Sequence, residues 1–359
     1  MTPTPESTGP AARLAVPRGP RLGVAWLAGG CAALFVAAIV GIWIGPVRVS
    51  PGGVILELLD RLPIVTIDSG LSDFEQTIVW DIRAPRVVLG MLVGAMLCSS
   101  GATYQGVFRN ALADPYSLGV AAGAGLGATI AIVNRLGDGS GVGDPVPLFA
   151  FGGALLAVMV ASTLGAPRGA PSANANLVLA GVAVAAFLTS IQTYVLQRNT
   201  EDLRKVYSWI LGRLSTSSWG EVQLVLPYAI VCCTGLLLLA SRLDVLAVGE
   251  DEATMLGASP AGIRIVALAL ASFAAAAAVA VSGLIVFVGL IVPHAVRRLG
   301  GVTHRRVLPL SMLFGGAFLA LTDVVARTIQ APRELPIGVV TACIGAPFFL
   351  HILRRQAAV

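Results

Sequence analysis

Asp323 and Arg327 stand one helical turn apart in Leu321-Thr-Asp-Val-Val-Ala-Arg327, within an otherwise apolar stretch. Opposite charges at this spacing meet on one face of a helix. In lipid the pairing lowers the cost of the carboxylate, about 2.5–3.5 kcal/mol for a lone Asp at a span centre. The spacing predicts an ion pair between Asp323 and Arg327 and leaves open a structural or a docking role. His294 follows Pro293, where a packing or interfacial imidazole and a proton carrier are both chemically reasonable; His304 and His351 lie far from it in sequence. The five cysteines, Cys31, Cys98, Cys232, Cys233 and Cys343, all fall in apolar runs. Neither a C-x-x-C pair nor Cys/His ligand spacing occurs, so no metal site and no cofactor is expected. Gly123-Ala-Gly-Leu-Gly127 has no strand before it and no Lys-Ser/Thr after it, and no G-x-x-x-x-G-K-[ST] occurs anywhere. Lys205 is the only lysine. Uphill transport driven by ATP would therefore need another chain to bind the nucleotide. A polytopic enzyme would need a clustered catalytic set, and no Ser/His/Asp, paired intramembrane Asp or His-x-x-x-His arrangement appears, which places it behind the transport readings. An ion-coupled carrier stays open as the alternative, weakened by the scarcity of acidic groups at mid-membrane depth.

The elements that must position these residues are membrane helices. Of 359 residues, 56% are apolar and 12% charged, and the mean hydropathy is +0.84. Average soluble domains carry about 25% charge, so a soluble globule of this length would lack a polar surface. The pI near 9.2 follows from arginines flanking the spans, a bias of cytoplasmic loops, and no nucleic-acid partner is expected. Runs near 20 apolar residues predict an all-α polytopic protein of about ten transmembrane helices at 22–45, 87–107, 116–134, 147–166, 175–197, 222–241, 261–281, 284–297, 307–328 and 336–353. The eighth is short and starts at Ser282-Gly283, as a broken or tilted helix would. Residues 1–21, rich in Pro, Gly and Arg, read as a disordered cytoplasmic tail, and 22–355 as one transmembrane domain. Within it, 46–82 is an outer loop and 242–260 a cytoplasmic segment holding the acidic run Glu250-Asp-Glu252. Arginines divide almost evenly between the two sides, so orientation rests on the span count. The G-x-x-x-G steps Gly119/Gly123/Gly127 and Gly90/Gly94 allow close helix packing or a substrate-lining face.

Four stretches carry a resemblance across nearly all of 80–355: Arg83-Ala-Pro-Arg86; Ser100 to Gln105 through Arg109-Asn110 to Gly119; Gly249-Glu250 through Ala253 to Leu256-Gly257; and Ser282 to Pro293-His294 and Arg297, continuing to Asp323, Arg327, Glu334-Leu-Pro336-Ile-Gly338 and Gly345-Ala-Pro347. In order and spacing the sequence resembles the permease subunits of type II bacterial ABC importers, the group that takes up ferric siderophores, haem and vitamin B12. Ala111 departs from the proline usual in that family's Asn-Pro-Leu-Ala turn.

The resemblance implies a type II importer permease fold in the cytoplasmic (inner) membrane. It implies a dimer with an identical or homologous second permease, two ABC ATPase subunits below and an extracytoplasmic substrate-binding protein outside. Gly249, Glu250, Ala253, Leu256 and Gly257 match the family's ATPase-coupling helix. Arg83, Arg86 and Arg327 match arginines that pair with glutamates of the binding protein, although Arg83 and Arg86 would equally anchor a span end by snorkelling. Tyr207 and Trp209 match a short helix at the substrate entrance, and Trp209 fits an interfacial aromatic belt as well. The cargo implied is an iron–siderophore complex, with haem or cobalamin as alternatives.

Overall fold

The computed structural model describes residues 24–61, 68–137, 143–165, 173–214 and 218–356. The tail expected over 1–21 lies outside them. The helices in chain order are α1 Val24–Trp43, α2 Pro51–Asp60, α3 Asp73–Thr77, α4 Ala84–Val107, α5 Val120–Val133, α6 Val146–Gly165, α7 Ala173–Arg198, α8 Leu203–Ile210, α9 Trp219–Val248, α10 Glu250–Met255, α11 Pro260–Ser282, α12 Val288–Gly300, α13 His304–Thr328 and α14 Ile337–Gln356. Every expected span coincides with a helix. Seven helical stretches are long and apolar enough to cross a membrane: α1, α6, α7, α9, α11, α13 and the continuous run Asp73–Val107. At 1.5 Å per residue, α5 and α12 cover only about 20 Å of a hydrocarbon core about 30 Å thick. The ten-span count therefore rests on short helices extended by irregular backbone.

Residues 46–82, expected as an outer loop, contain helices of their own. Ser50 caps α2, its Oγ accepting from Gly53 N–H at 2.9 Å. Ser72 and Glu75 form a capping box that starts α3, and a wide-turn π-helical stretch, Ile78–Arg83, runs from it into α4 without a break. The second span consequently starts at Asp73, not near residue 87. Capping supplied the start signal there, while the apolar run begins only later.

α4 is the central post. Leu89, Val93, Met96 and Leu97 are buried on it, and it packs against α13, α11, α9 and α12. Small residues set these crossings. Gly94 lies against the backbone of Gly315 and Gly316 on α13, and Gly101 against Gly289 on α12. Gly123 meets Gly153, and Gly127 meets Phe149 and Ala150, both on α6. The G-x-x-x-G steps are thus packing seams, where close backbones replace the hydrophobic drive that lipid cannot supply.

Between α11 and α12 the chain is non-helical over 283–287. Gly283 (φ +68°) and Phe287 (φ +69°) turn it. Irregular backbone at membrane depth survives only where protein satisfies it, and here it does. Ser282 O accepts from Arg213 N–H at 2.8 Å, and Ile285 O accepts from the Tyr116 hydroxyl at 2.9 Å. The eighth span is broken at the place its sequence indicated.

Candidate functional site

At the end carrying α2, α8 and the α13–α14 loop, outer in the orientation above, three helices bring arginines together. Arg86, on the first turn of α4, donates from Nε and Nη2 to Asp323 on α13 at 2.8–3.1 Å. Its Nη1 donates to Glu334 in the α13–α14 loop at 2.9 Å. The two-pronged grip on Asp323 uses the planar fork that suits guanidinium to carboxylate. Arg327 lies 3.7 Å from Asp323, donates to Gly41 O at the end of α1, and keeps a buried Nε without a hydrogen bond. Arg83 donates to the carbonyls of Ile42 and Trp43 at 3.1 and 2.8 Å, and to Val47 O. It closes the open C-terminal carbonyls of α1. Side-chain charge is thus held inside the chain: Arg83, Arg86 and Arg327 are 3%, 6% and 2% exposed. The residues matched to a docking surface lie just beneath it, and Glu334, exposed at the surface, lies over Arg86. Sequence spacing proposed Arg327 as the partner of Asp323; the stronger partner, Arg86, lies 237 positions away, a distance no local pattern reveals.

At the opposite end, α9 runs through Val248 and Gly249 into α10. Ala253 is buried, and its carbonyl accepts from Ala258 N–H at 3.0 Å. Gly257 adopts φ +76°, the left-handed turn that lets the chain enter α11. Glu250 contacts Arg264 on α11. The surface of this segment belongs to Val248, Met255 and Leu256, at 68%, 87% and 70% exposure. Of the expected coupling residues, Leu256 faces outward and Ala253 packs inward; Met255, next to Leu256 and more exposed, lies outside the residues the resemblance matched. Asp244, one turn before the end of α9, accepts from the backbone of His304 and Arg305 and from His304 Nδ1 at 3.0 Å, capping α13 from another helix. Arg109 donates to Leu246 O at 2.6 Å. These contacts tie the segment's root to α13 and to the turn after α4.

Between the ends, a groove of about 380 Å³ is lined by Tyr116, Gly125, Gln192, Thr193, Tyr207 and Leu284. A second, of about 680 Å³, opens on the other side of the α11–α12 break against Val286, Gly338, Ala342 and Cys343. Gln192 donates to Thr129 at 3.0 Å. Thr189, Ser190, Thr193 and Gln197 are exposed along α7. Tyr207 is 51% exposed and reaches the first groove, whereas Trp209 is 3% exposed and packs with Val206 and Val279. The two entrance candidates therefore face opposite ways. In the turn between α4 and α5, Asp114 Oδ1 accepts from Tyr116 N–H at 2.8 Å. Burial pushes its carboxyl up to about 6, against the opposing pull of that hydrogen bond. Among the described residues, no three His, Cys, Asp or Glu side chains gather to hold a metal ion.

Comparison with known proteins agrees across the whole helical body. The sequence profile of the FecCD transport family matches residues 33–355. The cobalamin import system permease protein BtuC of Halobacterium salinarum is 41% identical over 310 residues, 86% of this chain and 82% of that protein. The Fe(3+)-citrate import system permease protein YfmE of Bacillus subtilis is 33% identical over 324 residues, 90% of this chain and 93% of that one. A solved metal-chelate type ABC transporter in an inward-facing conformation superposes with a TM-score of 0.79 at 29% identity, covering 92% of this chain and 98% of its own.

Proposed function

The chain belongs to the FecCD transport family, and from that premise we propose that it is the permease subunit of an ABC importer that moves a bulky iron–siderophore complex inward. It is a multi-pass transport protein of the inner membrane. The observation that carries the reading is the family match over 33–355, which takes in the exposed inner segment, the broken span and the outer arginine cluster together. In this reading 22–355 act as one permease domain with 242–260 as its coupling segment, and 1–21 form a cytoplasmic tail.

The geometry supports a division of labour. Exposed Met255 and Leu256 offer two ATPase partners an apolar hold, while Gly249, Glu250 and Gly257 set the path of the chain around it. Asp244 and Arg109 pass the motion to α13 and to the α4–α5 turn. Thr189, Ser190, Thr193 and Gln197 are exposed polar groups on a membrane helix; the Ser190 and Thr193 hydroxyls donate back to the carbonyls of Ala186 and Thr189, and the amide of Gln197 is the group most expensive against lipid. They fit a water-filled path shared with a second permease, with Tyr207 at its mouth. Uncharged walls bind weakly and let cargo leave. A binding protein docks over Arg83, Arg86 and Arg327. Cobalamin is the second reading of the cargo, favoured by the 41% identity to a cobalamin permease.

The test is co-purification of the tagged chain in mild detergent, followed by proteoliposome uptake of ferric hydroxamate, ferric citrate and cobalamin with and without ATP. Wild type is expected to bring down an ATPase and accumulate a ferric hydroxamate only with ATP, and Met255→Glu with Leu256→Glu to lose the ATPase. Uptake driven by an ion gradient without ATP would sink the importer reading, and ATP-driven uptake of cobalamin alone would reassign the cargo.

A further inference from the structure

The outer cluster holds more positive than negative charge. Arg86 faces the carboxylates of Asp323 and Glu334, Arg327 lies beside Asp323 with its Nε buried and without a hydrogen bond, and Arg83 is taken up by the carbonyls of Ile42, Trp43 and Val47. Charges shielded from water are tolerated when paired, so the excess positive charge of this cluster favours a carboxylate arriving from outside. The two it already has are held differently. Asp323 is 1% exposed and takes two of the Arg86 nitrogens. Glu334 lies in a loop at the surface, with a third of its side chain exposed, and takes only Nη1. Among the described residues, it is the side-chain partner of Arg86 that a molecule arriving from outside can touch. Arg86 itself is otherwise covered.

We propose that Glu334 is an internal placeholder on Arg86, and that the docking partner presents an acidic side chain which takes its place. The inference rests on the binding-protein docking proposed above and adds how that site is regulated. Exchange of one carboxylate for another keeps the guanidinium paired throughout, so docking never exposes a naked buried charge. It also releases the α13–α14 loop, which is tied to α13 through Leu335 N–H on Ala326 O at 2.9 Å. Arrival of the partner is thereby felt at α13 and α14.

The experiment uses the full chain in nanodiscs and the substrate-binding protein recovered with it, read by surface binding at several salt concentrations. Glu334→Gln keeps the shape of the loop and removes the competing charge. It is expected to raise affinity by about tenfold or more, in line with the coupling of close charge pairs, while Glu334→Asp stays near wild type. Arg86→Gln is expected to weaken binding and flatten its salt dependence. A loss of affinity, or no change, in Glu334→Gln while Arg86→Gln still weakens binding would overturn the placeholder and leave the docking site standing. No effect from Arg86→Gln would overturn both.

Discussion

Asp114 shows how one side chain can set a pH dependence for the turn it holds. Its carboxyl has an ordinary value of 3.8 and is raised to about 6 by burial in the folded protein. Between those values the folded state binds more protons than the unfolded chain, so the contribution of this group to stability falls as pH rises through that window and is level above it. Asp114→Asn keeps an oxygen for Tyr116 N–H and removes the charge. The expected result is a difference in unfolding midpoint, variant minus wild type, that climbs from about pH 4 to about pH 6 and then stays flat. A difference that is constant or falls, measured by thermal unfolding in detergent, would show that the carboxylate is well solvated. At this scale the sequence was partly legible. The Asp323/Arg327 spacing announced charge inside a helix, but the two-pronged partner of Asp323 is Arg86, brought in by tertiary structure. An i,i+4 pair keeps both side chains on one helix, and here it closes only to 3.7 Å, whereas a neighbouring helix can aim a planar fork along the carboxylate. Removing one partner of such a buried pair typically costs about 3–5 kcal/mol, which makes Arg86 and Asp323 structural before they are anything else.

Helices meet in this protein where glycines allow it. Gly101 on α4 faces the carbonyl of Gly289 on α12 so closely that an added Cβ would overlap it, whereas Gly29 on α1 has open space where its Cβ would be. Backbone cannot swing aside as a side chain can. Gly101→Ala is therefore expected to destabilise by about 1–3 kcal/mol, the range for overpacking, and to separate α12 from α4. Gly29→Ala replaces a glycine in a helix by the best helix former and should be neutral or slightly stabilising. Paired thermal unfolding of the two variants checks this; equal effects would mean that α4 and α12 do not cross at Gly101. The presence of each span helix could be read from apolar runs, because lipid demands length and apolarity directly, but not the start of the second at Asp73. The G-x-x-x-G seams could be read as packing, but not which helix each one meets. The helices within 46–82 were hidden, since α2 and α3 are fixed by local caps and by contact with neighbouring spans, and neither signal shows in a hydropathy run. The break at Gly283 could be read because a glycine ends the apolar helix there and too few residues remain for a full span.

The whole molecule has two kinds of exposed flank, and they do not suit the same solvent. On α9, Ile230, Val231 and Leu238 are 57%, 64% and 76% exposed, with Thr234 the exposed hydroxyl among them. On α7, exposed Thr189, Ser190, Thr193 and Gln197 gather toward its C-terminal half, after exposed Leu179, Val182 and Phe187. Interhelical hydrogen bonds or water can satisfy such polar groups, and hydrocarbon cannot. In the permease dimer proposed above, the α9 side of the chain faces lipid, and its α7 side, with the two grooves flanking the α11–α12 break, faces a wet interior closed by the second permease. A chain with its five cysteines replaced separates these environments. A cysteine placed at Thr193 is expected to react with a small charged thiol reagent added from the aqueous side, because thiolate forms only in contact with water. A cysteine at Leu238 should stay unreacted over the same time although Leu238 is 76% exposed in the isolated chain. Labelling in proteoliposomes, followed by mass, gives the answer. Reaction at Leu238 matching that at Thr193 would place water on both flanks, and protection of both would close the α7 face against protein with no path between. Addition of the binding protein and of ATP to the assembled transporter should then change the rate at Thr193 alone, since in the proposed dimer only that flank lies on the route of the cargo.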